Sequence, residues 1–152
     1  MEHTTWIYNG KFIESINDLP TPDKWVGFCY KITNVRTGQT YIGKKNFWSK
    51  RKKALTKSEL STDKRLKKYK HVIKESDWLT YCGSSLPLQV DYKKPTAMFI
   101  REILHLACSK KQLSYYELKF MFEYDVLANP GSYNGNILGR FYAKDLACVE
   151  PE

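Results

Sequence analysis

The chain has 152 residues, of which 42% are hydrophobic and 27% charged, and its mean hydropathy is −0.54; this is the composition of one globular domain with a single sizeable core. No run approaches the roughly 18 to 20 consecutive apolar residues of a membrane helix, and the first residues lack the basic flank and apolar block of a secretory leader, so a transmembrane role is excluded and the expected compartment is the cytoplasm. The net charge of +9 is local: thirteen Lys or Arg and two acids, Glu59 and Asp63, stand between Lys44 and Lys74, and the rest of the chain is slightly negative. Such a concentrated positive patch is the footprint of a polyanionic partner, nucleic acid first among them. Four cysteines, Cys29, Cys82, Cys108 and Cys148, are too far apart for a zinc site and are expected to be reduced and mostly buried.

Residues 1–24 are polar and punctuated by Leu19-Pro20-Thr21-Pro22, which reads as an extension adding a short strand at residues 6–8. The compact domain is expected over residues 25–140, with a tail at 141–152. In residues 26–33, Val26, Phe28, Tyr30 and Ile32 alternate with smaller or polar residues, the period of a half-buried strand. Residues 39–43 form a second strand, and Asn34 and Gly38 supply the turn of an antiparallel hairpin. From Phe47 to Lys74 the sparse anchors Ala54, Leu55, Leu60 and Leu66 suit one or two surface helices. A short helix is expected at residues 78–81, starting at Ser76-Asp77 and stopped by Gly83-Ser84-Ser85. Residues 97–106 read as a strand. Residues 113–127 are the clearest helix, capped by Ser109 or Ser114 and ended by Asn129-Pro130-Gly131.

At 100° per residue, with Leu113 at the origin, Tyr116, Phe120, Tyr124, Leu127 and Met121 fall on one arc from about −60° to about 80°, and Glu117 falls inside it at about 40°. A carboxylate on an apolar stripe is costly unless a cation, a proton or a metal compensates it. Glu117 is therefore either a site residue or the partner of a core-edge Lys or Arg. Tyr30 and Tyr41 stand on neighbouring strands, where aromatics pack well in any case, and Asn134 sits in a YNGN turn. His3, His71 and His105 form no spaced ligand pair. No phosphate-cradling glycine loop and no nucleophile elbow is present.

Taken together, Phe28-Cys29-Tyr30, ten residues, and Tyr41-Ile42-Gly43 resemble the two-part signature of the GIY-YIG nuclease superfamily, with Phe28-Cys29 where Gly-Ile is usual. Arg51 stands where that family carries its arginine, ten residues after Tyr41. Glu117 lies on the late helix that bears the family's metal-binding acid, and Asn134 follows a tyrosine near the end of the domain, as the family's asparagine does. The stretch from Tyr41 to Trp48, Asp77-Trp78 and Gly83-Ser84-Ser85 are similar to small stand-alone bacteriophage members, whose compartment would be the host cytoplasm. The resemblance covers residues 25–137.

It implies an α+β (α/β) domain with a small three-stranded antiparallel sheet flanked by helices, hydrolysing phosphodiesters with one Mg²⁺ or Mn²⁺ held by Glu117. One tyrosine would act as base, its pKa lowered by neighbouring Lys or Arg; Tyr30 is favoured, with Tyr41 orienting water or phosphate, and the pair could exchange roles. Lys44, Lys45 and Arg51 would hold phosphate, and Asn134 would orient a water or support the metal site. Lys50, Lys52, Lys53, Arg65, Lys67 and Lys68 would follow the nucleic-acid backbone, DNA rather than RNA being the first expectation, with binding that weakens steeply with salt. Specificity would be low or limited to a short site, or a partner would supply it; a homodimer is the other association expected. The alternatives are a nucleic-acid-binding module that keeps the fold without catalysis, and a basic assembly protein.

Overall fold

The computed structural model describes residues 2–62 and 69–148. In chain order it contains β1 (Glu2–His3), β2 (Trp6–Tyr8), β3 (Lys11–Ile13), β4 (Gly27–Asn34), β5 (Thr40–Asn46), β6 (Trp48–Ala54), α1 (Lys57–Thr62), β7 (Tyr69–Glu75), α2 (Leu86–Tyr92), β8 (Met98–Ala107), α3 (Lys110–Glu123), β9 (Asn136–Ile137) and β10 (Phe141–Tyr142). The expected hairpin of β4 and β5 forms in register from Gly27↔Asn46 to Thr33↔Thr40. Its turn uses the two residues the sequence marks: Asn34 Oδ1 accepts from Arg36 N at 3.0 Å, and Gly38 adopts φ 77°. The strand expected over residues 97–106 is β8, antiparallel to β4.

The antiparallel unit β8-β4-β5 is only part of a larger sheet. Six strands form it, in the order β3-β2-β8-β4-β5 with β1 also on β8, so the expected three-stranded sheet is corrected to a mixed six-stranded one. Both β1 and β2 run parallel to β8, and Asn9-Gly10, each at positive φ, turn β2 back into β3. The segment before residue 25 thus supplies three strands and Trp6, which has no exposed surface. Its indole Nε1 donates to Trp78 O at 2.6 Å, and its ring meets Phe28 edge-on at 5.0 Å.

The two faces of the sheet bury different sets. Phe28, Tyr30 and Ile32 join Trp6, Phe47, Trp78, Leu88 and Phe99 on one face. On the other, α3 covers Cys29, Ala107 and Ile42 through Leu113 and Met121. Of the cysteines, all free, only Cys29 is buried, and Cys108 and Cys148 are exposed; the expectation of mostly buried thiols holds for Cys29 alone. Ser109 caps α3, accepting from Gln112 N at 3.1 Å, so the helix begins three residues earlier than the apolar pattern and ends at Glu123.

Three local expectations change. Trp48–Ala54 and Tyr69–Glu75 pair as a two-stranded hairpin, β6 with β7, and the only helix described between them is the short α1. Lysine and arginine favour helix in isolation, but pairing is imposed from the hairpin's base: Phe47 N donates to Val26 O, Ser76 N donates to Phe47 O, and the rings of Phe47 and Trp78 pack at 5.0 Å. Residues 77–80 make a turn rather than a helix, because Trp78 is drawn into the core. Ser85 starts a helix instead of stopping one: it caps α2 by accepting from Leu88 N, with Pro87 in the first turn. Among the described residues no helix is long and apolar enough to cross a membrane.

Replacing Trp6 with Ala is expected to cost about 3–5 kcal/mol, read as a lower midpoint in urea or thermal unfolding. A midpoint unchanged from wild type would show that the residues before β4 are peripheral to the core.

Candidate active site

β5 is the last strand of the sheet, so its outward backbone groups need partners from elsewhere. Thr40 is paired by residues 131–133: Thr40 N donates to Gly131 O at 2.9 Å, and Thr40 O accepts from Tyr133 N at 2.7 Å. Ile42 is paired by a side chain, Asn134, whose Oδ1 accepts from Ile42 N at 2.9 Å and whose Nδ2 donates to Ile42 O at 2.8 Å. The amide of Asn134 stands in for a missing strand. The next outward amide, Lys44 N, donates to the carboxylate of Glu117. Ser76 Oγ donates to Asn46 O at 2.6 Å. Two of the expected site residues, Asn134 and Glu117, are thereby held on consecutive outward positions of one strand edge.

That edge borders an open cleft of about 500 Å³, lined by Tyr41, Ser84, Ser85, Glu117, Tyr133 and Asn134 among others. Tyr41 projects from β5 toward one face of the sheet and its hydroxyl bonds Ser84 Oγ at 2.9 Å. Glu117 projects from α3 on the other face, and the two meet where β5 has no neighbouring strand. Burial raises the Glu117 pKa above the usual carboxylate value, against the pull of the Lys44 ammonium and the Lys44 amide. Lys44 Nζ itself bonds Ser114 Oγ at 2.9 Å, one turn of α3 before Glu117.

Tyr30 lies behind Tyr41, with ring centroids 6.1 Å apart, and is only 1% exposed. Burial, reinforced by Tyr41, Tyr81 and then Glu117, pushes its pKa well above the ordinary phenol value. The expectation that neighbouring cations lower it is therefore corrected: burial dominates, and desolvation disfavours the phenolate. Tyr41 is also shifted upward by burial, although its bond with Ser84 works in the opposite direction. The close approach of Tyr30 explains Gly43: a Cβ there would collide with Tyr30 Oη and stand 3.0 Å from Tyr41 Cε1. The glycine of the Tyr41-Ile42-Gly43 triplet makes room for the hydroxyl of the first tyrosine.

The remaining expected residues lie elsewhere. Lys45 faces the Tyr30 side, where Nζ pairs with Asp77 at 2.6 Å and stands 4.2 Å from the Tyr81 ring centroid. Arg51 is exposed on β6 opposite Val72, outside the cleft lining, and Lys50, Lys52 and Lys53 are exposed on the same strand. Arg65, Lys67 and Lys68 lie outside the described residues. Ser84 was legible only as part of a turn-like Gly83-Ser84-Ser85; the Ser85-Leu86-Pro87 order, a cap followed by proline in the first turn, was the available sign that a helix starts there and turns Ser84 toward Tyr41. Arg101 gave no sequence signal. It is buried, with no acidic partner among the described residues, its Nη1 donating to Leu79 O and Tyr81 O, both at 2.9 Å, and its Nε to Thr4 O at 3.0 Å, so it fixes the loop that carries Tyr81.

A family model described as "Putative endonuclease segE, GIY-YIG domain" matches residues 6–143. No curated protein and no solved structure matches the chain.

Asn134→Ala would leave Ile42 N–H and C=O unpaired, with an expected cost of about 2–4 kcal/mol, measurable by urea unfolding; a loss below about 0.5 kcal/mol would mean that water replaces the amide. For Glu117 the sign runs the other way. A carboxyl whose folded pKa is raised binds its proton more tightly when folded, so stability is lost as pH rises from about 4.5 through the folded value. Glu117→Gln should therefore melt higher than wild type at pH 7, with the gap closing below about pH 4.5; an equal or lower melting temperature at pH 7 counts against a desolvated carboxylate.

Proposed function

The chain belongs to the GIY-YIG endonuclease family, and from that premise we propose that it is a metal-dependent endonuclease that hydrolyses DNA phosphodiesters in the cleft at the edge of β5. Membership implies a nucleic-acid substrate. The observation that supports the finer reading is the convergence of a half-buried carboxylate and a phenol, Glu117 and Tyr41, on one open cleft, with the Lys44 amide and ammonium acting on Glu117 from β5.

Among the described residues no three His, Cys, Asp or Glu side chains gather into a cage. A single carboxylate surrounded by neutral oxygens suits Mg²⁺ or Mn²⁺, ions that keep most of their water and share their shell with a substrate phosphate. Desolvation makes the bare Glu117 carboxylate costly, and a cation in the cleft would relieve that cost. When bound, the ion supplies charge neutralisation for the extra negative charge on the attacked phosphate.

The chain's own groups take the other parts. Lys44, next to Glu117 on the edge, neutralises the phosphate; Lys45 is committed to Asp77 and Tyr81 and serves the packing of that loop. Tyr41 reaches the cleft and orients the attacking water, accepting its proton, while buried Tyr30 supports the ring of Tyr41 from behind. Asn134 acts through Ile42: with both ends of its amide engaged, it positions the edge instead of a water. Arg51 contacts the nucleic acid from the hairpin.

Supercoiled plasmid at low salt with Mg²⁺ should be nicked or linearised by the wild type, and EDTA should abolish the reaction. Glu117→Gln is expected to slow cleavage by roughly a hundredfold or more, while plasmid binding persists; cleavage at the wild-type rate would remove Glu117 from the site. With Tyr41 as base, its pKa raised above 10, the logarithm of the wild-type rate should climb with pH and show no plateau below about pH 10. Tyr41→Phe should flatten that climb and lower the rate about a hundredfold or more; an unchanged profile would assign the proton transfer to another group.

A further inference from the structure

The β6–β7 hairpin is a ribbon exposed on both sides, and its register sorts its residues into two unlike faces. Ser49, Arg51 and Lys53 share one face with Lys70, Val72 and Lys74; Trp48, Lys50 and Lys52 share the other with Tyr69, His71 and Ile73. On the first face Lys53 stands directly opposite Lys70. Like charges opposed across a strand pair are destabilising, and a lone two-stranded hairpin has little stability to spare. One of the four cations, Lys70, is shared with Glu59, which its Nζ meets at 3.0 Å. The ribbon therefore concentrates charge at a cost that a bound polyanion removes.

The ribbon's placement adds to its charge. A single residue, the buried Phe47, separates β6 from β5, so the ribbon is tied to the strand that carries Tyr41, Gly43 and Lys44. Two strands of seven residues span about 23 Å. A two-stranded ribbon enters the roughly 12 Å wide major groove of B-form DNA, and is excluded from the deep, narrow one of A-form RNA.

We propose that the β6–β7 ribbon lies in the major groove of duplex DNA, with the face of Arg51, Lys53, Lys70 and Lys74 against it, as a recognition element separate from the cleft. The inference rests on the endonuclease reading for the identity of the polyanion. It differs from a general backbone attraction in being specific to one face and to groove shape.

Two double variants with equal loss of charge test it: Lys53→Thr/Lys74→Thr on the proposed face and Lys50→Thr/Lys52→Thr on the other, threonine being a strand-favouring replacement. Binding to a duplex DNA of about 20 base pairs is followed by fluorescence anisotropy in EDTA, so that no cleavage intervenes, over a series of salt concentrations. The first double should bind at least about tenfold more weakly, with a log–log salt slope shallower by about 2, and its melting temperature should not fall, since Lys53 no longer opposes Lys70. The second should bind within about threefold of wild type, and wild type should bind duplex RNA at least about tenfold more weakly than DNA. Equal loss in the two doubles, or equal affinity for duplex RNA and DNA, would overturn the placement. Plasmid cleavage by the wild type in Mg²⁺ reports separately on the cleft: cleavage together with undiminished binding by the first double sinks the ribbon alone, whereas ribbon-dependent binding without any cleavage sinks the cleft's chemistry and leaves the ribbon standing.

Discussion

An edge strand presents a row of backbone groups that must find partners, and on β5 those partners are the groups of the proposed site. Thr40 is met by the backbone of residues 131–133, Ile42 by the amide of Asn134, Lys44 N by the carboxylate of Glu117 and Asn46 O by Ser76. Protecting the edge from other chains and assembling the cleft are the same set of hydrogen bonds. The segment that brings Asn134 is itself pinned from the far side, because Tyr133 Oη donates to Asp91 at 2.7 Å and accepts from Asn34 Nδ2 at 3.0 Å. The site thus draws on β4, β5, α2 and α3 at once.

The same edge explains why a carboxylate can sit on a largely apolar helix face. Glu117 gives up solvation to reach β5, and the Lys44 amide and ammonium return only part of it. The residual strain is electrostatic and local, of the kind that gathers at functional sites. On the other face of β5, sterics do the corresponding work: Gly43 leaves space for the Tyr30 hydroxyl, and that ring in turn sets the position of Tyr41. Electrostatic fit on one face and steric fit on the other converge on a single strand of seven residues.

The β4–β5 hairpin, the strand at β8, the late helix and the half-buried position of Glu117 were legible in the sequence because each rests on a local pattern: a period of two, a turn at Asn34 and Gly38, or a charged residue within an apolar arc. The main errors arose where long-range packing outweighs local pattern. Residues 48–75 are rich in helix-forming lysines, yet their pairing is dictated by Phe47 and Trp78 in the core beneath. The parallel docking of β1 and β2 on β8 joins residues nearly a hundred positions apart, which no window reads, although Asn9-Gly10 did announce the β2–β3 hairpin and went unused. The role of Asn134 was out of reach for a related reason: a YNGN turn does not say which backbone its amide will face.

The order in which these parts leave the ribosome has a consequence of its own. Tyr30, Tyr41, Gly43 and Lys44 are made in the first third of the chain, but Glu117 and Asn134 follow in the last quarter, and β2 cannot dock until β8 exists. Contacts so distant in sequence form late. A nascent chain therefore carries its basic ribbon well before the outer edge of β5 is closed. The residues assembled around Glu117 are in place only once Asn134 has been made, some sixty residues after the second strand of the ribbon.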